Sequence, residues 1–134
     1  MQKQGDINMN FFAIFIILLF TSFNAFASQE EFAAANEKWK AQKSNPDRMK
    51  YLNTVLEIDN KQNRDEQGGC YNVAPGGITQ IIVINSEGII ESVISESKSE
   101  KSECFKKVYL GLKYPKPPFA PIYDKMLMGY PEKK

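Results

Sequence analysis

The stretch ITQIIVIN at residues 78–85 decides the fold of this chain. Its branched residues form a run too short for a typical helix, which is the composition of a β-strand. The turn NSEG at residues 85–88 ends in a glycine suited to positive φ, and IIESVIS at residues 89–95 forms the returning strand. Because residues 81–84 are all apolar, we expect the first strand to lie inside the sheet and the pair to form a β-hairpin.

A helix and a third strand are predicted after the hairpin. Ser97 and Glu100 match a capping box, so we expect a helix from there to about Leu110. The proline-rich segment YPKPPFAP at residues 114–121 excludes both helix and central strand, and we interpret it as a rigid linker. Its alternative role is a polyproline ligand for an aromatic groove. IYDKMLM at residues 122–128 is then the final strand, antiparallel to the hairpin and at a sheet edge.

Two helices are predicted ahead of the hairpin. SQEEFAAANEKWKAQK at residues 28–43 places acids first and lysines last, as the helix dipole favours, and we expect it to pack on its own domain rather than on a partner. Asn45 and Pro46 match the N-cap and first position of a second helix, about Asp47–Asn60. The predicted apolar stripe of the second helix is Met49, Leu52, Val55 and Leu56, with Asp59 on the same side, and Tyr51 and Ile58 broaden it.

The order of these elements predicts the fold class. We expect an α+β fold with a small antiparallel sheet of about three strands in β-β-α-β order and a helix on one face, preceded by the two N-terminal helices. The polar stretch KQNRDEQGG at residues 61–69 is predicted to be a solvated loop between the two parts. The predicted organisation is a leader at 1–27, a helical segment and loop at 28–67 and an α+β domain at 68–131.

The leader has the layout of a secretory signal peptide. FFAIFIILLF at residues 11–20 is an unbroken apolar core, and an A-x-A site ends at Ala27, after which we expect cleavage. The alternative is an uncleaved membrane anchor, because the residues before the core are only weakly basic. Cleavage predicts a periplasmic or secreted protein, and contact with the membrane is expected only if the leader is retained.

The two cysteines, Cys70 and Cys104, are interpreted as a structural disulfide, since an even pair at long spacing is oxidised outside the cytoplasm. Closing a loop of about 35 residues stabilises a fold by roughly 3–4 kcal/mol on the chain-entropy estimate. Free thiols and a redox couple are the alternatives, and the absence of C-x-x-C spacing argues against the redox couple.

Composition excludes several classes of function. Histidine is absent, so the chain has no imidazole general base, no Ser-His or Cys-His pair and no histidine zinc site. Lysine and arginine (17) nearly balance aspartate and glutamate (16), which leaves no basic field for nucleic acid. Glu87, Glu91 and Glu96 are interpreted as solvated residues rather than an acid–base pair. We therefore expect no catalytic residue, no cofactor and no metal.

One pattern resembles a known family. It comprises Cys70-Tyr71, a glycine before the first branched strand, a turn ending in Gly88, the mid-helix pair Cys104-Phe105 and the exit YPKPP at residues 114–118. Over about residues 70–128 the chain resembles the TonB C-terminal-like domain, specifically its cysteine-containing AgmX-like branch. The resemblance implies that an extended peptide of an envelope protein binds by adding a strand to a sheet edge. The last strand is the candidate edge, with Ile122, Tyr123, Lys125, Met126 and Met128.

The predicted function is therefore an exported, non-enzymatic binding or assembly module of the cell envelope. Its expected partner is an envelope protein or an extended peptide. One alternative is a membrane-anchored TonB-like transducer component. Another is a small secreted enzyme or inhibitor, for which residues 114–121 would supply the exposed loop.

Overall fold

The computed structural model describes residues 28–128, apart from the side chains of Asp65 and Gln67. The predicted leader, its cleavage site at Ala27 and the last residues of the predicted domain, 129–131, lie outside the described residues. The described elements, in chain order, are α1 (28–42), α2 (Pro46–Lys61), a 3-10 helix (Arg64–Asn72), β1 (Ile78–Ile84), β2 (Ile90–Ser95), α3 (Glu100–Tyr109) and β3 (Ile122–Met128).

The three strands form one antiparallel sheet in the order β2-β1-β3, which confirms the predicted α+β class. Ile81 is paired with Ile94 of β2 and with Lys125 of β3, so the most apolar strand is the central one. A β-bulge beside Ile84 leaves Glu91 without a paired residue in β1. Both β2 and β3 are consequently edge strands.

The hairpin turn is held by a side chain and by a close backbone approach. Asn85 Oδ1 accepts from the backbone N–H groups of Glu87 and Ile89 at 3.0 and 3.1 Å. Gly88 has φ +83°, as predicted, and a Cβ at this position would lie 2.2 Å from the carbonyl oxygen of Tyr114. The turn therefore requires glycine for two separate reasons.

The helices pack on opposite faces of the sheet, giving three layers. Ile82 of β1 points to the face covered by α2 and α3, where the larger core includes Val55 and Phe105. Ile81 points to the opposite face, where Phe32 and Ala35 of α1 cover it. The expectation that the first helix packs on its own domain is confirmed. The second helix shares the larger core with the strands, so residues 28–67 and the sheet are packed together.

The predicted stripe of α2 is wrong in part. Tyr51 and Val55 are buried, and Leu52 and Ile58 pack against the larger core, as predicted. Met49 and Leu56, however, are 53% and 57% exposed, and Arg48 is buried instead. Tyr51 donates from its hydroxyl to Pro115 O at 2.8 Å, and this bond turns the aromatic side of the helix toward the sheet. The helix start agrees with the prediction, because Asn45 caps it and Pro46 is its first residue.

The cysteine pair is joined, as predicted. Cys70 and Cys104 form a disulfide with a Cα–Cα distance of 5.6 Å, which fastens the 3-10 helix to α3. The polar stretch before Cys70 is therefore not a plain loop. Its backbone closes short i→i+3 turns, such as Glu66 N–H to Asn63 O at 3.1 Å, because α2 ends close to the anchored cysteine.

The N-terminal cap of α3 also differs from the prediction. The capping box is formed by Ser99 and Ser102, not by Ser97 and Glu100. Ser102 N–H donates to Ser99 Oγ at 3.1 Å, and Ser99 N–H donates to Ser102 Oγ at 2.8 Å. Ser102 is fully buried, and a hydroxyl fits this space where a glutamate would not.

Candidate functional site

The functional interest of this fold lies in the two outer edges of its sheet. An edge strand presents backbone N–H and C=O groups to any extended chain that can reach them. In β3, Tyr123 N–H points away from β1, because it donates to the side chain of Gln42 at 3.1 Å. The backbone groups of successive residues in a strand point to opposite sides. Those of Ile82 and Ile84 therefore form hydrogen bonds with β3, and those of Ile81 and Val83 form hydrogen bonds with β2.

The outer edge of β3 is occupied at its start. Gln42 Nε2 donates to Pro121 O at 2.9 Å, and its Oε1 accepts from Tyr123 N–H. The side-chain amide therefore makes the two backbone hydrogen bonds that a neighbouring strand would make. The guanidinium of Arg48 donates twice to Tyr123 O, at 2.7 and 3.1 Å. Both outward groups of Tyr123 are therefore satisfied, by the last residue of α1 and by the first turn of α2.

The residues predicted to form the binding edge are mostly packed against their own chain. Ile122 and Met128 lie in the larger core, and Met126 packs beside it. Lys125 Nζ donates to Asn36 Oδ1 at 3.1 Å and lies 4.9 Å from the Trp39 ring centroid. Tyr123 packs under α1. In β3 the most exposed side chain is Leu127 (69%), which the sequence analysis did not select.

An ion pair joins α2 to β3 beside the same edge. Arg48 NH2 lies 3.2 Å from Asp124 Oδ1, and Arg48 is only 5% exposed. Burial raises the pKa of Asp124 to about 6, and the attraction of Arg48 only partly opposes this rise. The pair therefore fixes α2 to β3, and its carboxylate titrates well above the ordinary range for aspartate.

The outer edge of β2 is arranged differently. Glu96 N–H donates to Thr79 O of β1, so Ser92 and Ile94 also bond inward, while the N–H and C=O groups of Val93 and Ser95 point outward. Within residues 28–128, no hydrogen bond is made by these outward backbone groups. They form one open part of the sheet, and the outward backbone groups of Leu127 at the end of β3 likewise make no hydrogen bond within these residues.

The first residues of β2 already have a neighbour. Ile90 N–H donates to Leu112 O at 2.9 Å, and Gly111 N–H donates to Ile90 O at 2.9 Å. Lys113 forms an antiparallel bridge with Ile89. The segment after α3 thus fills the fourth-strand position beside the start of β2 and leaves the remainder empty in the described part of the chain.

A cleft of about 860 Å³ runs along this open edge. One wall is the start of α1 and the other is α3, since the two helices cover opposite faces of the sheet. The lining residues are Ser28, Gln29, Glu31, Val93, Ile94, Ser95, Glu96, Ser97, Lys98, Glu103 and Lys106. The cleft offers backbone hydrogen bonds at its floor and polar side chains on its walls, which suits an extended polypeptide.

The proline-rich segment is used by the fold itself. Tyr114 is buried and donates to Asp59 Oδ1 at 2.7 Å, and Pro115 O accepts from Tyr51. Burial, reinforced by the hydrogen bond to Asp59, raises the pKa of Tyr114 above its ordinary range. Phe119 packs against the larger core. These contacts agree with the linker interpretation, although Pro115, Lys116, Pro118, Ala120 and Pro121 are exposed.

The acidic residues considered for acid–base chemistry are placed separately. Glu87 pairs with Lys116 at 3.7 Å beside the hairpin turn, Glu91 is exposed at the bulge, and Glu96 lines the cleft. Across residues 28–128, no three histidine, cysteine, aspartate or glutamate side chains are grouped so that they could hold a metal ion. In the same range, no helix combines the length and hydrophobicity needed to cross a membrane.

The β2 edge was not predicted from the sequence. The available signal was the β-β-α-β order, which gives a three-stranded sheet two edges rather than one. The Gln42 and Arg48 contacts that cover β3 had no signal in the sequence, because they join residues about 75 to 80 positions apart.

Comparison of the chain with protein-family models, curated proteins and solved structures found no match. The likeness to the TonB C-terminal-like domain therefore stays a prediction that rests on the residues quoted for it.

Proposed function

We propose that this protein is an exported binding module that takes up an extended segment of another protein as a fourth strand on β2. The observation that carries the proposal is the outer edge of β2, where Val93 and Ser95 direct backbone groups into the cleft between α1 and α3. Three or four backbone hydrogen bonds of this kind give binding energy with little dependence on sequence, and the walls supply selectivity.

The cysteines and the leader support a compartment outside the cytoplasm. The disulfide between Cys70 and Cys104 is typical of an oxidising, extracytoplasmic environment. The apolar core at residues 11–20 followed by the A-x-A site supports export with cleavage after Ala27. We place the protein in the periplasm or outside the cell, with an envelope protein as its partner.

The TonB-like resemblance supports strand addition as the mode of binding, but we place it on β2 rather than on the residues predicted in β3. At the start of β3 a partner would have to displace Gln42 and Arg48 from Tyr123. The outward groups of Leu127 at the end of β3 make no hydrogen bond within residues 28–128, but the cleft beside them and α2 has a volume of only about 240 Å³. The cleft of about 860 Å³ beside β2 favours the β2 edge.

Proline substitution at outward-facing positions tests the site. Ser95→Pro removes an outward N–H without touching the β1–β2 ladder, and Ser95→Ala is its matched control, since both variants lose the hydrogen bond between Ser95 Oγ and Gln80. Leu127→Pro and Leu127→Ala form the equivalent pair on β3. Peptides are selected from a random dodecapeptide library on the wild-type protein, and their affinities for the four variants are measured.

We expect Ser95→Pro to bind the selected peptides about tenfold more weakly than Ser95→Ala, the effect of one lost backbone hydrogen bond. Leu127→Pro and Leu127→Ala should bind alike. The opposite result would move the site to β3. A library that yields no binder, or binders indifferent to both proline variants, would refute strand addition.

A further inference from the structure

We infer that Ser95 determines which segments the β2 edge prefers, because its hydroxyl donates a hydrogen bond to an oxygen acceptor on the opposite side chain of the added segment. Asparagine, aspartate, serine or threonine would supply that acceptor on the α3 side of the sheet. This inference rests on the proposed function and names the chemistry of its ligand. It follows from the hydrogen bonds of a buried amide behind the cleft.

The amide belongs to Gln80 in the central strand. Gln80 is fully buried and is paired with Ser95 of β2, so the two side chains share the face of the sheet that α3 covers. Its Nε2 donates to Ser102 O of α3 at 2.9 Å and to Ser95 Oγ at 2.7 Å. Since a backbone carbonyl can only accept, the contact with Ser102 O identifies the amide nitrogen and fixes the orientation of the amide.

This orientation decides what the Ser95 hydroxyl can do. An amide nitrogen only donates, so Ser95 Oγ must accept from Gln80 and must direct its own proton elsewhere. Within residues 28–128, no acceptor receives this proton. Ser95 is half-buried and lines the cleft of about 860 Å³. The hydroxyl is therefore available as a donor to a segment that enters the cleft.

The other end of the amide gives a second, independent observation. Gln80 Oε1 is buried and has no hydrogen-bond partner within residues 28–128. A buried acceptor without a partner destabilises a fold, and an apolar side chain of similar shape would avoid this loss. A role in orienting Ser95 accounts for an amide at this place in the core. Gln80 is then a positioning residue for the cleft.

An added strand brings a side chain within reach of Ser95. The residue directly opposite shares the face of Ser95, with its Cβ about 4.5–5.5 Å away, and a short side chain with an oxygen atom can meet the hydroxyl at this separation. The cleft carries charges of both signs, among them Glu96, Lys98 and Lys106. An uncharged acceptor such as asparagine therefore tests the hydroxyl without a charge of its own.

The probe is a dodecapeptide selected from a random library on the wild-type protein. NOE contacts between the strands identify its residue opposite Ser95, which is then made asparagine, leucine or lysine. NMR titration gives the three affinities and reports amide protection at Val93 and Ser95. Ser95→Ala removes the hydroxyl, Ser95→Thr keeps it, and Gln80→Met removes the amide. Ser92→Ala, on the opposite face of β2, is the matched control.

We expect Ser95→Ala to weaken binding of the asparagine peptide about fivefold, the effect of one hydrogen bond, and to change that of the leucine peptide by less than about twofold. Ser95→Thr and Ser92→Ala should keep the wild-type preference for asparagine. Gln80→Met should reduce the preference for asparagine over lysine, because a hydroxyl released from Gln80 can also accept. The Ser95 variants decide the inference even if Gln80→Met fails to fold.

Two results would overturn the role of Ser95 and leave strand addition standing, provided that Val93 and Ser95 are protected. One is an asparagine peptide indifferent to Ser95→Ala. The other is equal weakening of the asparagine and leucine peptides by Ser95→Ala, which would show a structural effect alone. A library that yields no binder would refute both this inference and the proposed function.

Discussion

The side-chain amide of Gln42 pairs with the backbone of Tyr123 in the way a neighbouring strand would. Its oxygen accepts from Tyr123 N–H at 3.1 Å, and its nitrogen donates to Pro121 O at 2.9 Å. The start of the β3 edge is thereby closed from within the chain, while the end of the β2 edge borders an open cleft of about 860 Å³.

Removing the amide should open the β3 edge. Gln42→Ala leaves Tyr123 N–H without its partner, so we expect its amide exchange to rise at least about tenfold and the free energy of unfolding to fall by about 1 kcal/mol. Hydrogen exchange followed by NMR and urea titration measure the two effects. Lys50→Ala, an exposed position on α2, is the control. An unchanged exchange rate at Tyr123 would show that Gln42 does not close this edge.

The buried carboxylate of Asp124 predicts a pH dependence of stability. Its pKa in the folded protein is about 6, above the ordinary value of 3.8, so the folded state binds the proton more tightly than the unfolded state. The stabilising contribution is complete below about pH 4 and is lost as the pH rises through 6. The stability of the wild type relative to Asp124→Asn should therefore decrease between pH 4 and 6.5, by on the order of 2 kcal/mol.

Urea titrations of both proteins at half-unit pH steps measure that difference, and other titrating groups cancel in the comparison. A difference that rises with pH over the same interval would mean that the attraction of Arg48, and not burial, dominates the pKa of Asp124.

The hairpin turn makes a second stability prediction. Gly88→Ala adds a methyl group that would lie 2.2 Å from Tyr114 O, in addition to the strain of a positive φ. Gly76→Ala is a matched control, because Gly76 has φ +85° and open space around the added atom. We expect Gly76→Ala to cost about 1–2 kcal/mol and Gly88→Ala clearly more. Thermal denaturation of both variants measures these losses of stability. Equal losses would show that the close approach of Tyr114 O to Gly88 is unimportant.

The disulfide should contribute much of the stability of this small fold. Replacing Cys70 and Cys104 together by serine is expected to lower the free energy of unfolding by roughly 3–4 kcal/mol, because the unfolded chain gains the freedom of a loop of about 35 residues. Chemical denaturation with and without a reducing agent measures this. The reducing agent should destabilise the wild type and leave the double variant unchanged. A wild type indifferent to reduction would contradict this role for the disulfide.

Much of the fold could be predicted from local signals. The hairpin, the central position of β1 and the disulfide follow from branched composition, an unbroken apolar run and cysteine count. The burial of Arg48 in α2 could not be predicted, because it depends on a polar contact with Tyr123 O, which is distant in sequence. Periodicity records only the apolar residues and therefore selected Met49 and Leu56 together with the buried Val55.

That the candidate site would be a sheet edge could be predicted, but its position could not. The strand order gives a sheet with two edges, and strand addition at an edge is a recognised mode of peptide binding. Which part of each edge is open depends on Gln42 of α1 and Arg48 of α2, which cover the start of β3, and on the turn at Gly111, which covers the start of β2. Neither contact has a local signature.

The most direct test of the account is residue-resolved amide exchange of the protein with and without a selected dodecapeptide. In the free protein, the Val93 and Ser95 amides should exchange quickly while Ser92 and Ile94 exchange slowly, an alternation that only an open edge produces. With peptide bound, Val93 and Ser95 should become protected. Protection that appears at Leu127 instead, or a Val93 amide already protected in the free protein, would contradict the claim that β2 is the open edge.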